Sequence, residues 1–516
     1  MPCLAHAQDT FDGQRLTIPK VLVNNDVYSN VVITISEVVS VAGGNPTGNY
    51  DTYKVSTNEL RIPSVVYGGS TFNNVVVKVG QVLAVGGVAG PPSETASMTS
   101  GIKPWFHNYL RNDDGSETLV LTTMGLNSFN KFTDPTPIML LKPNGNGVAD
   151  VTSQLFDIAP SLYWGRNVVA FKDPLTSQQA LWFCNQGREV GDYQLASTPR
   201  VNGIWGEQDK LFIMKNGKFV DQSSQLPQVV DFSHGCSAAN IGDGNSLVLV
   251  KNTLGSFGGN PSMQMLANNG ISYLKTAFNS NILNTKTLST YWTGVGDFSK
   301  RGAADVLFSQ QLVRLENGIY KVSQTLRAPD LEAQGYTLAH SGTIGDINGD
   351  GFLDVILVFS GDGVKQAFLS GAMLAVFLND GKGNLVYAPE AIPNRLPAEM
   401  GLDIKLFDVN FDGKKDIVTT GAKYDLGNSS KDYSARTLYL NNGNGTFSKR
   451  NIVDAEMDRN CLAYKNSYLN GCQMTYYFLS NNDISSYSII MTGIDSSQRS
   501  YAYARKVTAE NPIGLQ

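Results

Sequence analysis

One short pattern recurs six times along this chain and narrows its folds more than anything else. An apolar strand runs into Asn-Gly or a close variant and out again. The copies are Leu141-Lys142-Pro143-Asn144-Gly145, Met214-Lys215-Asn216-Gly217, Leu266-Ala267-Asn268-Asn269-Gly270, Leu315-Glu316-Asn317-Gly318, Leu378-Asn379-Asp380-Gly381 and Leu440-Asn441-Asn442-Gly443. Asn-Gly and Asp-Gly between apolar runs code for tight hairpins, because the central residues of such a turn need positive φ. Hairpins spaced roughly 45–75 residues apart fit blades of about four strands. A tyrosine-rich stretch near 455–510 is long enough for one more. No helical periodicity of useful length interrupts them, and a radial array removes the exposed edges that an open row of hairpins would leave. The expected fold is all-β: a seven-bladed β-propeller over 100–516, with six or eight blades allowed.

A second, different repeat occupies the N-terminus. Leu16-Thr17-Ile18-Pro19-Lys20-Val21 returns 44 residues later as Leu60-Arg61-Ile62-Pro63-Ser64-Val65, and the offset carries Val31 onto Val75 and Val41 onto Val85. Each copy reads as a short strand, a turn and a longer strand. Together they form a small β-rich module over 9–90, with two units facing each other as a sandwich or packing on a neighbour. The Gly/Pro-rich stretch Gly86–Ser93 reads as a linker, with the boundary set at 91–99.

Composition closes off other classes. Of 516 residues, 40 are Lys or Arg and 45 Asp or Glu, a net charge of −5 with no basic block, so a nucleic-acid binder is not expected. No apolar run approaches the ~18–20 residues of a membrane span. Ala5-His6-Ala7 has the small-x-small form of a secretory cleavage site without the apolar segment that precedes one, so residues 1–8 are read as a signal-peptide remnant. Secretion, to a periplasm, medium or cell surface, is the expectation. Four cysteines then remain. Cys461–Cys472 is the expected disulfide, with Cys184–Cys236 as a second pairing.

The sharpest chemistry lies in two loops. Asp346-Ile347-Asn348-Gly349-Asp350-Gly351-Phe352-Leu353-Asp354 and Asp408-Val409-Asn410-Phe411-Asp412-Gly413-Lys414-Lys415-Asp416 both read D-x-N-x-D-G-x-x-D, and an apolar strand follows each. Alternate side chains at positions 1, 3 and 5 turn oxygens inward, Gly at 6 permits the sharp turn, and position 9 closes the shell. Position 7 (Phe352, Lys414) offers a backbone carbonyl. An all-oxygen set with three carboxylates suits Ca²⁺ better than zinc or copper. Two Ca²⁺ sites are expected. In a third loop, Asp297-Phe298-Ser299-Lys300-Arg301-Gly302-Ala303-Ala304-Asp305, an arginine replaces the central carboxylate. The expectation there is an internal ion pair in place of a metal.

These loops resemble FG-GAP (VCBS-type) repeats, the blade units of integrin-α-like propellers. The resemblance is specific over about 335–455 and weaker over 100–510. It implies that the loop joins the first two strands of a blade and binds Ca²⁺. Histidines (His6, His107, His234, His340) show no ligand spacing, and no hydrolase or phosphate-loop motif is present. Each lone histidine reads as a surface or turn residue, and the tryptophans and C-terminal tyrosines as blade packing. The expected function is an extracellular calcium-binding scaffold for recognition or adhesion, with a protein or glycan ligand. The alternative is a carbohydrate-active enzyme, a polysaccharide lyase or hydrolase, on the same propeller.

Overall fold

The computed structural model describes residues 9–23, 26–46, 51–89, 102–125, 135–144, 147–163, 165–173, 176–185, 187, 200–201, 204–228, 230–241, 246–253, 263–268, 273–275, 292–317, 319–361, 365, 372–392, 403–420, 437–452, 474–494 and 500–515. Contacts divide the chain into two compact units, Met1–Glu94 and Thr95–Gln516.

The first unit is built by its repeat. Six strands, β1 (Asp9–Phe11), β2 (Arg15–Val23), β3 (Asp26–Val41), β4 (Asp51–Lys54), β5 (Glu59–Tyr67) and β6 (Ser70–Ala89), form one sheet in the order β1-β2-β3-β6-β5-β4. Two parallel pairings, β1 on β5 and β2 on β4, fold it back on itself. The 44-residue offset appears directly in the core. Leu16, Ile18, Val21, Val31 and Ile33 are buried with Leu60, Ile62, Val65, Val75 and Val77, one residue from each repeat at every level. The two repeats thus share one hydrogen-bonded sheet; they do not face each other as a sandwich. Gly86–Ala89 belongs to β6 and is not linker.

In the second unit, six four-stranded antiparallel sheets cover 102–150, 165–221, 233–275, 293–325, 336–387 and 403–451. They are blades 1 to 6. All six coded hairpins join the third and fourth strands of a blade. At Asn216-Gly217 both residues have the positive φ that the turn needs, 51° and 80°. Residues from adjacent blades make the apolar layers: blades 1 and 2 around Phe156 and Phe183, blades 4 and 5 around Phe298 and Leu357, blades 5 and 6 around Ile356 and Ile417. Each fully buried Leu, Ile or Phe contributes about 2 kcal/mol.

The C-terminal stretch forms a three-stranded sheet, Met474–Ser480, Ser486–Ile494 and Ser500–Thr508. Tyr476, Phe478 and Tyr487 pack on blade 6, and Tyr477, Leu479 and Ile490 on blade 1, so the sheet wedges between them. Six full blades therefore fall within the expected range. Ahead of the wedge the first strands of blades 1 and 6 approach each other, with His107 Nε2 3.6 Å from Asp403 Oδ2. Cys184 and Cys236 are disulfide-bonded with Cα atoms 6.4 Å apart, tying blade 2 to blade 3. Cys461 and Cys472, the first-choice pair, lie outside the described residues.

Candidate functional site: acidic turns and an axial cavity

The acidic loops join the first and second strands of blades 5 and 6, and the arginine-bearing loop does the same in blade 4. All three have one backbone conformation. Position 4 has positive φ in each (Lys300 52°, Gly349 78°, Phe411 61°), and so does the glycine at position 6. The position-1 carboxylate holds this shape. Asp297, Asp346 and Asp408 each accept a hydrogen bond from the position-6 N–H at 2.7–2.8 Å. Asp350 and Asp412 accept from the N–H of position 7, Phe352 and Lys414. The Asn348 amide donates to Asp350 at 2.9 Å.

Position 9 ties the loop into the blade. Asp354 accepts from Ile347 N–H (2.9 Å) and from Asn379 N–H (2.7 Å); Asp416 accepts from Val409 and Asn441 at 2.9 and 2.8 Å. Both carboxyls are buried. Burial raises their pKa, to about 6 for Asp416; two backbone N–H groups oppose the shift and the neighbouring loop carboxylates add to it. The asparagines reached this way belong to the coded hairpins, and their amides cross to the preceding blade. Asn379 Nδ2 donates to Phe298 O and Asn441 Nδ2 to Ile347 O, both at 2.8 Å. Tyr487 Oη makes the equivalent bond to Val409 O. Position 2 of each loop is therefore the acceptor for a staple from the next sheet.

In blade 4 the centre of the turn is filled from within. Arg301 donates from Nε to Ser299 Oγ and from Nη2 to Asp305 Oδ1, both at 2.8 Å, bridging positions 3 and 9. The expected internal ion pair is present. Among the described residues, no group of three or more His, Cys, Asp or Glu side chains is placed to hold a metal ion. The donor chemistry of blades 5 and 6 still fits a hard divalent cation, since every ligand atom is oxygen and buried Asp354 and Asp416 sit beside two more carboxylates each.

Sequence reading missed a second constellation. The first strands of the six blades surround a cavity of about 360 Å³ on the propeller axis. His107, His234 and His340 all line it and are buried, which corrects their reading as surface or turn residues. Burial first, then nearby cations, holds their pKa down: to about 3 for His107 beside Lys405 and for His340 beside Arg166, and well below the usual range for His234 beside the same arginine. Asp403 accepts from Ser341 Oγ (3.1 Å) and Ile404 N–H (2.9 Å), and burial raises it to about 7. Lys405, brought down to about 8 by burial, contacts Glu117 at 2.7 Å and donates to Phe478 O. No period marks this lining: His340 to Ile344 and Asp403 to Lys405 line the cavity as consecutive runs, and the pairing of the inner strand of blade 5 is irregular between Ala339 and Ser341.

The fold and the turns define a β-propeller whose fifth and sixth blades carry the FG-GAP loop. The FG-GAP-like repeat family matches residues 346–419, which hold the blade 5 turn and the blade 6 turn complete. None of the curated proteins matches the chain. Among solved structures, the fungal lectin of Aleuria aurantia, a six-bladed propeller, shares 12% identity; the match covers 68% of this chain and 94% of that one, at a TM-score of 0.35. The polysaccharide lyase Uly1 shares 11% over 80% and 91% at 0.37. The α-L-arabinofuranosidase Arb93A of Fusarium graminearum shares 8% over 81% and 99% at 0.39. These are likenesses of fold and carry nothing about ligand or activity.

Proposed function

We propose that this chain is an extracellular calcium-binding β-propeller that serves as a recognition scaffold for a glycan or protein ligand. The observation that carries the calcium reading is the guanidinium of blade 4. A turn with the same backbone takes a positive charge between positions 3 and 9, donated by Arg301. In blades 5 and 6 position 5 is itself a carboxylate; in blade 6 Lys414 Nζ stands 3.4 Å from one of the three carboxylates, Asp412, and the rest of the compensating charge is drawn from outside the chain. Asp346, Asn348, Asp350, Asp354 and the Phe352 carbonyl would hold one ion, and Asp408, Asn410, Asp412, Asp416 and the Lys414 carbonyl the other. The ions supply charge neutralisation at two neighbouring blade seams, and the axial cavity supplies the recognition surface. Export accords with the Cys184–Cys236 disulfide, a bond of oxidising compartments.

A cation that binds only the native state stabilises by mass action, about 2.7 kcal/mol per site at a free concentration a hundredfold above Kd. Excess EGTA should therefore lower the melting temperature by several degrees, and restored Ca²⁺ should recover it. An unchanged melting curve after confirmed metal removal sinks the calcium reading. The second reading, a carbohydrate-active enzyme, is favoured by one observation: Arg166, Tyr109, Asp403 and Lys405 converge on one cavity. A glycan array combined with a reducing-sugar release assay separates the two, since product formation ends the pure recognition reading.

A further inference from the structure

We propose that the N-terminal unit binds one small aromatic molecule, a single phenol-sized ring, in an apolar cavity beside Tyr53. The cavity belongs to the first unit alone and has a volume of about 200 Å³. An apolar cavity of about 150 Å³ stays dry and takes up one benzene, so a single ring is the right size.

The lining admits nothing charged. Eight Val, Ile and Leu side chains surround Tyr53, with Val31 and Leu60 buried at the floor and Val82, 55% exposed, at the mouth. Tyr53 carries the one polar side-chain atom among the described lining residues, and its hydroxyl donates to Asn58 Oδ1 at 2.7 Å. A guest is therefore held by apolar contact and by the face of one ring.

The internal repeat shows what kind of guest fits. Phe11 lies beside Tyr67 where β1 runs parallel to β5, and Tyr53 lies beside Val23 where β4 runs parallel to β2. The 44-residue offset carries Val23 onto Tyr67, so the two places correspond. At the second place two rings meet: Phe11 and Tyr67 have centroids 5.2 Å apart and planes inclined by 50°. At the first, Tyr53 has a short aliphatic neighbour where Phe11 has a phenol, and the cavity opens against Val23 and Tyr53. The two halves otherwise bury matching sets of side chains, so the space that distinguishes them is that of a ring. Aromatic pairs in offset or edge-to-face geometry gain more than their buried area alone gives, which favours a planar ring over a saturated one of equal size.

The test is methyl NMR of the full chain, titrated with p-cresol and with 4-methylcyclohexanol, its saturated counterpart. p-Cresol is the tyrosine side chain as a free molecule. It should bind saturably with a Kd on the order of 1 mM, as a ligand of so few atoms allows. The methyls of Val31, Leu60 and Val82 should shift, and p-cresol should bind severalfold tighter than the saturated alcohol. Val23→Tyr copies the second repeat and supplies the ring from within, so it should abolish those shifts. Tyr67→Val makes the reverse exchange at a position 47% exposed and should create a second site, with new shifts at Ile62 and Val75. A dispersed methyl spectrum confirms folding of each variant, and Tyr67→Val decides should Val23→Tyr fail to fold. No saturable shift at the lining, equal affinity for the two probes, undiminished binding by folded Val23→Tyr, or no second set of shifts in Tyr67→Val each overturns the proposal. Shifts confined to propeller methyls do so as well, while leaving recognition by the propeller standing.

Discussion

Blades 4 and 6 wind the same nine-residue turn and satisfy its buried position-9 carboxylate by different means. Asp305 in blade 4 receives Arg301 at 2.8 Å, Ser299 at 3.2 Å and Arg314 at 3.7 Å, all through side chains. Asp416 in blade 6 receives two backbone N–H groups, one from its own turn and one from Asn441. Around it stand Asp408 and Asp412, and the structure offers them Lys414 Nζ at 3.4 Å from Asp412. The backbone of the turn is therefore independent of what fills its centre. The position-1 aspartate and the two left-handed residues fix the shape, and positions 3, 5 and 9 then decide whether the compensating charge is covalent or borrowed. Blade 4 has taken a route that no chelator can undo.

The largest expected difference between the two blades follows from the backbone bonds. With EGTA present throughout, Asp416→Ala strands two N–H groups in a buried seam and should cost about 3 kcal/mol. Asp305→Ala removes a partner from Arg301, which is 41% exposed and recovers water, and a more distant one from the mostly buried Arg314, which keeps its bond to Gly383 O, so it should cost less, about half of that. Chemical denaturation of both variants checks the order. Equal losses would mean that the bonds from Val409 and Asn441 add nothing to the seam. A smaller step sharpens the same contrast from the other side. Ser299→Asn with Arg301→Asp rewrites blade 4 as D-x-N-x-D-G-x-x-D, and titration should then find three Ca²⁺ per chain in place of two. The double variant should lose stability in EGTA and regain it in Ca²⁺. If it binds no third ion, the motif is insufficient and the calcium reading of blades 5 and 6 weakens with it.

Much of this was legible beforehand, for physical reasons. Hairpins between third and fourth strands declare themselves because positive φ restricts the residues that fit, and all six fell where Asn-Gly or Asp-Gly stands. Asn216 and Gly217 take it together, whereas the turns of blades 5 and 6 take it at Gly381 and Gly383 and at Gly443 and Gly445, with Asp380 and Asn442 outside it. The blade 4 ion pair was equally visible, since an arginine at position 5 has no other carboxylates so near in sequence. Position 4 of the turns was not legible: Lys300 and Phe411 adopt positive φ without being residues that favour it, and only the closed turn holds them there. The axial cluster was hidden for a different reason. His107, His234 and His340 lie on three separate strands, and ring closure alone brings them to one cavity. The wedge of three strands behind blades 1 and 6 likewise depends on packing that no local pattern encodes.

The N-terminal unit handles buried carboxyls in a third way, with a proton, and this supplies the smallest of the expected effects. Asp9 and Asp51 occupy corresponding places in the two repeats: Asp9 pairs with Val65 and Asp51 with Val21, residues related by the 44-residue offset. Their side chains are hydrogen-bonded to each other and buried. Burial, with the partner's charge added for Asp51, raises the pair to about 6 and about 9. Both values lie above the ordinary 3.8. The pair therefore stabilises in its protonated form. Its contribution is complete below about pH 4 and is lost as pH rises, first through 6 and then through 9. Hydrogen exchange in β2 and β5 of the intact chain should accelerate between pH 5 and pH 9, beyond the intrinsic rate increase. Asp51→Asn carries its hydrogen permanently and should flatten that excess, while leaving exchange in blades 4 to 6 unaltered. An identical excess in wild type and Asp51→Asn would show that the proton is not what holds the two repeats together, and the contrast with the arginine and cation solutions of the propeller would reduce to two cases.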